Sequence, residues 1–126
     1  MKRLEAMHMP VMTKRIYEPA SPRDGYRVLV DRIWPRGISR DEAALDAWMK
    51  ELAPTDALRK WFHADPSRWG EFRRRYLSEL KGRRDNVRGL AERAGNGPVT
   101  LLFAARDERH NNAVVLKQYL KMLGAE

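Results

Sequence analysis

The sequence predicts an α/β protein: a single compact domain with a small, mainly parallel sheet flanked by helices. Three observations predict it. Tyr26–Ile33 contains the run Val28-Leu29-Val30, and Pro98–Ala105 reads PVTLLFAA; both are short, apolar and bounded by turn residues, the pattern of strands buried on both faces. Between and after them lie helical periodicities, Trp69, Phe72, Tyr76 and Leu80 in one stretch and Ala113, Leu116, Leu120 and Leu123 in another. The length of 126 residues suits one domain.

Taken in order, residues 1–10 read as an appended arm, and residues 11–126 as the domain. Val11–Tyr17 (VMTKRIY) is β-branched and roughly alternating, a first strand. Glu18–Gly25 holds two prolines, Ser21, Asp24 and Gly25, and reads as a loop before the second strand. Pro35 and Gly37 end that strand within Trp34-Pro35-Arg36-Gly37. Ser39-Arg40-Asp41-Glu42 is a capping box. Leu45, Trp48, Met49 and Leu52 follow at helical spacing, while the alternation of Leu45, Ala47 and Met49 leaves a strand open. Thr55 is placed to cap a short helix from Asp56 to Phe62. Asp65-Pro66 starts a helix running to about Lys81, with Gly82 as the interruption. A further helix, Asp85 to Ala94, stops at Gly95-Asn96-Gly97. The strand Pro98–Ala105 then leads to a last helix over Arg109–Leu123, with Tyr119 beside its inner stripe.

Composition narrows the function. Lys and Arg number 25 against 17 Asp and Glu, a net charge of +8, with 43% hydrophobic and 33% charged residues. This is a globular composition, not a disordered one. Without cysteine there is no disulfide scaffold, thiol nucleophile, thiolate zinc site or iron–sulfur cluster. No apolar run reaches the roughly 20 residues of a membrane span, and Met1 to Met9 lack a secretory apolar core. The expected setting is the cytoplasm, with no membrane partner. The excess charge concentrates between Pro66 and Ala94, nine basic residues against four acidic. Arg73, Arg74, Arg75, Arg83 and Arg84 read first as the solvated face of a helix and second as a nucleic-acid-binding face.

Ligands of parallel sheets bind outside the carboxyl ends of the strands. Two such ends are rich in polar groups: Asp31-Arg32-Ile33-Trp34-Pro35-Arg36-Gly37, and Arg106-Asp107-Glu108-Arg109-His110-Asn111-Asn112. If these strands are neighbours, Asp31, Arg32 and Arg36 face Arg106, Asp107, His110 and Asn111 across one crevice. Guanidinium forks and a helix N-terminus favour a phosphate- or carboxylate-bearing ligand. In that reading Arg32 and Arg36 clamp the anion, with Trp34 and Gly37 beside them, and Asn111 orients it. Asp31 or Asp107 acts as base or metal ligand, in a ligand-binding or hydrolytic site. Each residue also has a structural reading. Asp107 suits a helix cap, and Asp31 and Arg32 suit an ion-pair network. His110 suits a solvent-facing turn. Asn111 or Asn112 suits a bond to loop carbonyls that holds the crevice shut. His63 reads as a helix terminator rather than a metal ligand, and the four tryptophans as core or pocket wall. No G-x-S-x-G turn, phosphate loop, dinucleotide glycine pattern or H-E-x-x-H helix is present. No metal ligand set is assigned, no cofactor is identified, and whether a reaction is catalysed stays open. A protein-interaction domain without chemistry is a third reading, and a homodimer is the default oligomer.

The segment Gly25–Gly37, with its VDRIWPRG motif, resembles the YeaO-like branch of the domain of unknown function 488 family. The likeness continues through Trp48 to Phe62, with Ala53-Pro54-Thr55 and Leu58-Arg59-Lys60-Trp61-Phe62-His63. It then takes in Phe72, Tyr76, Glu79 and Leu80, the strand Thr100–Ala105, and Asn111 to Leu116. It spans roughly residues 13–123 and implies a compact cytoplasmic α/β domain of bacterial type, with no established activity. Many members of the broader family carry a Cys-His pair after the last strand. Here that loop has no cysteine, so thiol chemistry does not carry over.

Overall fold

A computed structural model describes residues 11–124; the expected arm, residues 1–10, lies outside the described residues. Four strands form one sheet: β1 (Val11–Arg15), β2 (Tyr26–Leu29), β3 (Ala47–Trp48) and β4 (Val99–Phe103). Their order is β1-β4-β2-β3, and every neighbouring pair is parallel. β4 lies between β1 and β2, in register Val11↔Val99 and Tyr26↔Val99, and all five of its residues are buried. Its uninterrupted apolar sequence reflects a strand covered on both faces.

The helices are α1 (Arg40–Ala43), α2 (Asp56–Ala64), α3 (Trp69–Lys81), α4 (Arg84–Gly95) and α5 (Asn112–Met122). One sheet face, with Val28, Leu101 and Phe103, packs on Phe72, Tyr76, Leu80, Val87, Leu90, Leu116 and Leu120 from α3, α4 and α5. On the other face Leu29, Leu102 and Ile16 meet Ala43, with Trp34, Ile38, Leu45 and Trp48 packed around them. The three-four spacing of Phe72, Tyr76 and Leu80 thus marks the inner stripe of α3, and Gly82 separates α3 from α4 as expected. Ser39 accepts from the Glu42 amide at 3.1 Å and Glu42 reaches back to the Ser39 N–H at 2.9 Å, completing the capping box.

One open reading is resolved and one expectation corrected. Of the two readings of the Leu45–Leu52 stretch the strand holds: Ala47–Trp48 is the edge strand β3, Lys50–Leu52 makes a single 3-10 turn, and α1 stops at its C-cap Ala44, which adopts φ 49°. The cause lies far away in sequence. Arg27 on β2 donates from Nη2 to the Ala43 carbonyl at 2.7 Å and from Nε to the Ala44 carbonyl at 3.1 Å. Those are carbonyls that a continuing helix would use. The last helix begins at Asn112, not Arg109, because Asn111 is its N-cap.

Gly25 is required where it stands. With φ +62°, a Cβ there would lie 2.3 Å from the Pro98 carbonyl oxygen, the same oxygen that accepts the Tyr26 N–H at 2.9 Å. Only a residue without Cβ lets β2 start against β4. No helix among the described residues is long and apolar enough to cross a membrane.

Candidate functional site

A cavity of about 490 Å³ opens at the carboxyl ends of β2 and β4, within the size range of small-ligand pockets. Its walls come from Asp31–Arg36, from Arg59, Phe62 and His63 on α2, from Phe72 on α3, and from Ala104, Ala105 and His110–Asn112 around the start of α5. Tyr17 and Pro54 complete it.

Asp31 ties the two strand ends together. Its Oδ2 accepts the Ala104 N–H at 2.9 Å, and its Oδ1 accepts from Asn112 Nδ2 at 3.1 Å. Asn112 Nδ2 also donates to the Val30 carbonyl at 2.7 Å. Burial pushes the Asp31 carboxyl above its ordinary range, partly offset by the Ala104 and Asn112 bonds and by the more distant His63 and Arg59. Burial and Arg59 together lower the His63 ring below its ordinary range, against the opposing pull of Asp31.

The arginines divide in two. Arg32 is spent on architecture: its Nε donates to the Pro54 carbonyl at 3.0 Å and its Nη2 to the Ala53 carbonyl at 3.4 Å. Arg36 is exposed, lines the cavity, and has no side-chain bond among the described residues. The loop carrying Arg36 is fixed from both sides. The Tyr17 hydroxyl donates to the Arg36 carbonyl at 2.8 Å, and the Trp34 indole N–H donates to the Ile38 carbonyl at 2.9 Å. Arg59 Nη2 holds Asp56 at 2.6 Å, while its Nε is buried without a partner.

The second strand end is organised differently from the sequence expectation. Asp107 does not cap α5. It closes a turn before the helix, accepting from the amides of Arg109 at 2.9 Å and His110 at 3.0 Å, and it meets His110 Nδ1 at 2.9 Å. The His110 ring bond and the Arg109 amide hold its carboxyl below the usual range. Asp107 is exposed and does not line the cavity, so it forms no pair with Asp31. His110 does line it and sits edge-on to Trp69, ring centroids 5.1 Å apart.

Asn111 is buried, with its Oδ1 accepting from Val114 N–H at 3.1 Å and its Nδ2 donating to the Asp107 carbonyl at 2.9 Å. Asn112 takes the strand-joining role. Asn111→Ala is accordingly expected to cost about 1–2 kcal/mol of stability, as for a lost N-cap, and Asn111→Asp to recover little of it, since it keeps the acceptor for Val114 but sets a buried carboxylate against the Asp107 carbonyl; urea unfolding checks both. Arg106 is exposed outside the cavity, and Gly37, at φ +76°, lies beside a separate shallow depression with Ile16 and Glu42.

The structure therefore brings Asp31, Arg32, Trp34, Arg36, His110 and Asn111 around one cavity and leaves Asp107, Arg106 and Gly37 outside it. Arg59, Phe62, His63 and Phe72 were not read as site residues. Their available signal was the i,i+4 spacing of Arg59 and His63 on one short helix, which sets two polar side chains on one face. No group of three or more His, Asp or Glu side chains is arranged to hold a metal ion among the described residues.

A four-stranded parallel sheet flanked by helices defines a small α/β domain. A family model described as "Inactive DUF488-N3 subclade" matches residues 10–125, and the chain belongs to that family. It is 44% identical over 115 residues to "Uncharacterized protein YeaO" of Escherichia coli (strain K12), covering 91% of this chain and all of that protein. It is also 42% identical over 110 residues to "Uncharacterized protein Rv3073c" of Mycobacterium tuberculosis (strain ATCC 25618 / H37Rv), covering 87% of this chain and 92% of the relative. No solved structure matches the chain.

Proposed function

We propose that the cavity binds a small phosphate- or carboxylate-bearing molecule and does not turn it over. The observation that carries this reading is Arg36: an unpaired guanidinium at the cavity edge, on a loop pinned through its own carbonyl by Tyr17. Such a fork suits carboxylate or phosphate. Binding without catalysis is favoured because both Asp31 oxygens already accept structural bonds and Asp107 stands outside the walls. The family description, an inactive subclade, agrees with it.

The basic helical face supports a nucleic-acid reading less well. Arg74 and Arg75 pair with Glu71, Arg73 donates to Gln118, and Arg83 donates to the carbonyls of Glu51 and Ala53. Arg84 alone of the five has no side-chain partner among the described residues.

Thermal unfolding with inorganic phosphate, sulfate, benzoate and phenyl phosphate tests the proposal. A probe at 100 times its dissociation constant stabilises by about 2.7 kcal/mol, on the order of 10 °C at this size. At least one of these anions should raise the Tm of the wild type and do so much less in Arg36→Ala. Equal shifts in both proteins, or none in either, would overturn the reading.

A further inference from the structure

Asp31 carries the step beyond a generic anion site, and the step rests on the binding reading above. The carboxylate is partly buried where the cavity meets the strand ends, and its two hydrogen bonds come from neutral donors, an amide and an asparagine. No lysine, arginine or histidine makes an ion pair with it among the described residues. Asp24 shows the contrast: that buried carboxylate has Lys14 and Arg27 both in contact. A carboxylate withdrawn from water without a cationic partner is costly, and two of its acceptor positions remain unused.

Position along the cavity sets the polarity of whatever fills it. An anion driven down to Asp31 meets like charge in a region of low dielectric, so the anionic end belongs at Arg36. The same cavity is lined by the aromatic side chains Phe62, Phe72 and Trp34 with Pro54, and by the polar Arg59, His63 and His110. We infer that the ligand is amphoteric: an amine or comparable N–H donor bound to Asp31, a flat apolar body against the aromatic wall, and a carboxylate or phosphate held by Arg36.

Para-(aminomethyl)benzoate has these three parts. Para-ethylbenzoate has the same shape and the anion but no donor, and para-(aminomethyl)benzamide has the donor but no anion. Titrations at pH 7, followed by amide resonances of Asp31–Arg36 and Ala104–Asn112, compare the three on the wild-type protein. The aminomethyl benzoate should bind about tenfold more tightly than either of the others, about 1.4 kcal/mol. In Asp31→Asn its advantage over para-ethylbenzoate should vanish. In Arg36→Ala its advantage over the benzamide should vanish. Equal or tighter binding of para-ethylbenzoate to the wild type overturns the amphoteric ligand while leaving the anion site standing. No perturbation of these amides by any of the three overturns both. Asp31→Asn keeps one carbonyl oxygen and can accept from the Ala104 amide or from Asn112 Nδ2 but not from both; should it fail to fold, the wild-type comparison decides the matter alone.

Discussion

Arg27→Ala is expected to cost about 3–5 kcal/mol of folding free energy, the usual range when one partner of a buried ion pair is removed. Arg27 is 4% exposed. Its Nη1 contacts Asp24 Oδ2 at 2.5 Å, and Nε and Nη2 serve the carbonyls of Ala44 and Ala43. Truncation leaves the buried Ala43 carbonyl unpaired and Asp24 with Lys14 as its one remaining cation. Arg27→Lys keeps a charge but not the fork that reaches three acceptors, and should recover less than half of the loss. The pH dependence has a definite sign. Burial alone would raise the Asp24 carboxyl, but the Ser21 amide, Lys14 and Arg27 outweigh it and hold the group below its ordinary 3.8. A depressed carboxyl contributes stability that is complete above that ordinary value and is lost as pH falls through the lower, folded one. The gap between wild type and Arg27→Ala should therefore be widest near neutral pH and narrow below about pH 3.8. Urea unfolding at pH 7 and at several acidic values measures it; a constant gap would mean that Arg27 acts through the Ala43 and Ala44 carbonyls alone.

The same residue explains where the sequence was readable and where it was not. Local chemistry was legible. Ser39 with Glu42, Thr55 before α2 and Gly82 between α3 and α4 act within a few residues of their partners, so spacing alone exposes them. The buried strand β4 was legible because burial on both faces writes a continuous apolar run. Ala47–Trp48 was ambiguous because the helix before it is stopped by Arg27, separated from Ala43 by 16 positions. Likewise the sequence offers both Asp107 and Asn111 as good caps for the last helix, and only the geometry of the turn assigns α5 to Asn111.

At the candidate site, sequence placed the strand ends correctly and misjudged the partners. It sets Asp31 opposite Arg106, Asp107, His110 and Asn111, whereas the Asp31 bonds go to Asn112 and to Ala104, just before the 106–112 segment. Arg32 and Arg36 look alike in VDRIWPRG, yet one is bound by carbonyls of the Ala53-Pro54 turn and the other is free at the cavity edge. That difference depends on where residues 53 and 54 pass, which no local pattern encodes. Arg59 and His63 come from a helix outside both polar segments, so the wall they form appears only once α2 is packed against the strand ends.

Phe72→Ala is the substitution expected to join a large loss of stability to a change in the cavity. Phe72 is 2% exposed and lies at the centre of an aromatic stack. Its ring stacks on Phe62 at 4.3 Å with 20° between the planes, is inclined 28° to Trp69 at 5.8 Å, and lies 5.7 Å from Tyr76. Truncation of a buried Phe costs about 3–5 kcal/mol, a large share of a typical total of roughly 5–15 kcal/mol. Because Phe72 also lines the cavity, the space it vacates merges with the pocket and leaves Phe62 without its stacking partner. Phe72→Leu refills most of that volume without a flat face, and should cost about 1–2 kcal/mol, at the tolerant end of core exchanges. The pair separates two roles. If the aromatic wall matters only for folding, Phe72→Leu binds para-ethylbenzoate as the wild type does once both are folded. If the wall holds a flat ligand, Phe72→Leu loses affinity several-fold for a stability cost of only about 1–2 kcal/mol, because stacking is worth about 0.5–1.5 kcal/mol beyond the area it buries. The second outcome is expected through Phe62: Phe72 is itself 2% exposed, and its stacking at 4.3 Å holds the Phe62 ring that lines the cavity. Urea unfolding gives the stability of each variant and resonance titration its affinity. A Phe72→Ala protein within about 1 kcal/mol of the wild type would contradict the packing argument, because the cost of a buried void scales with its size.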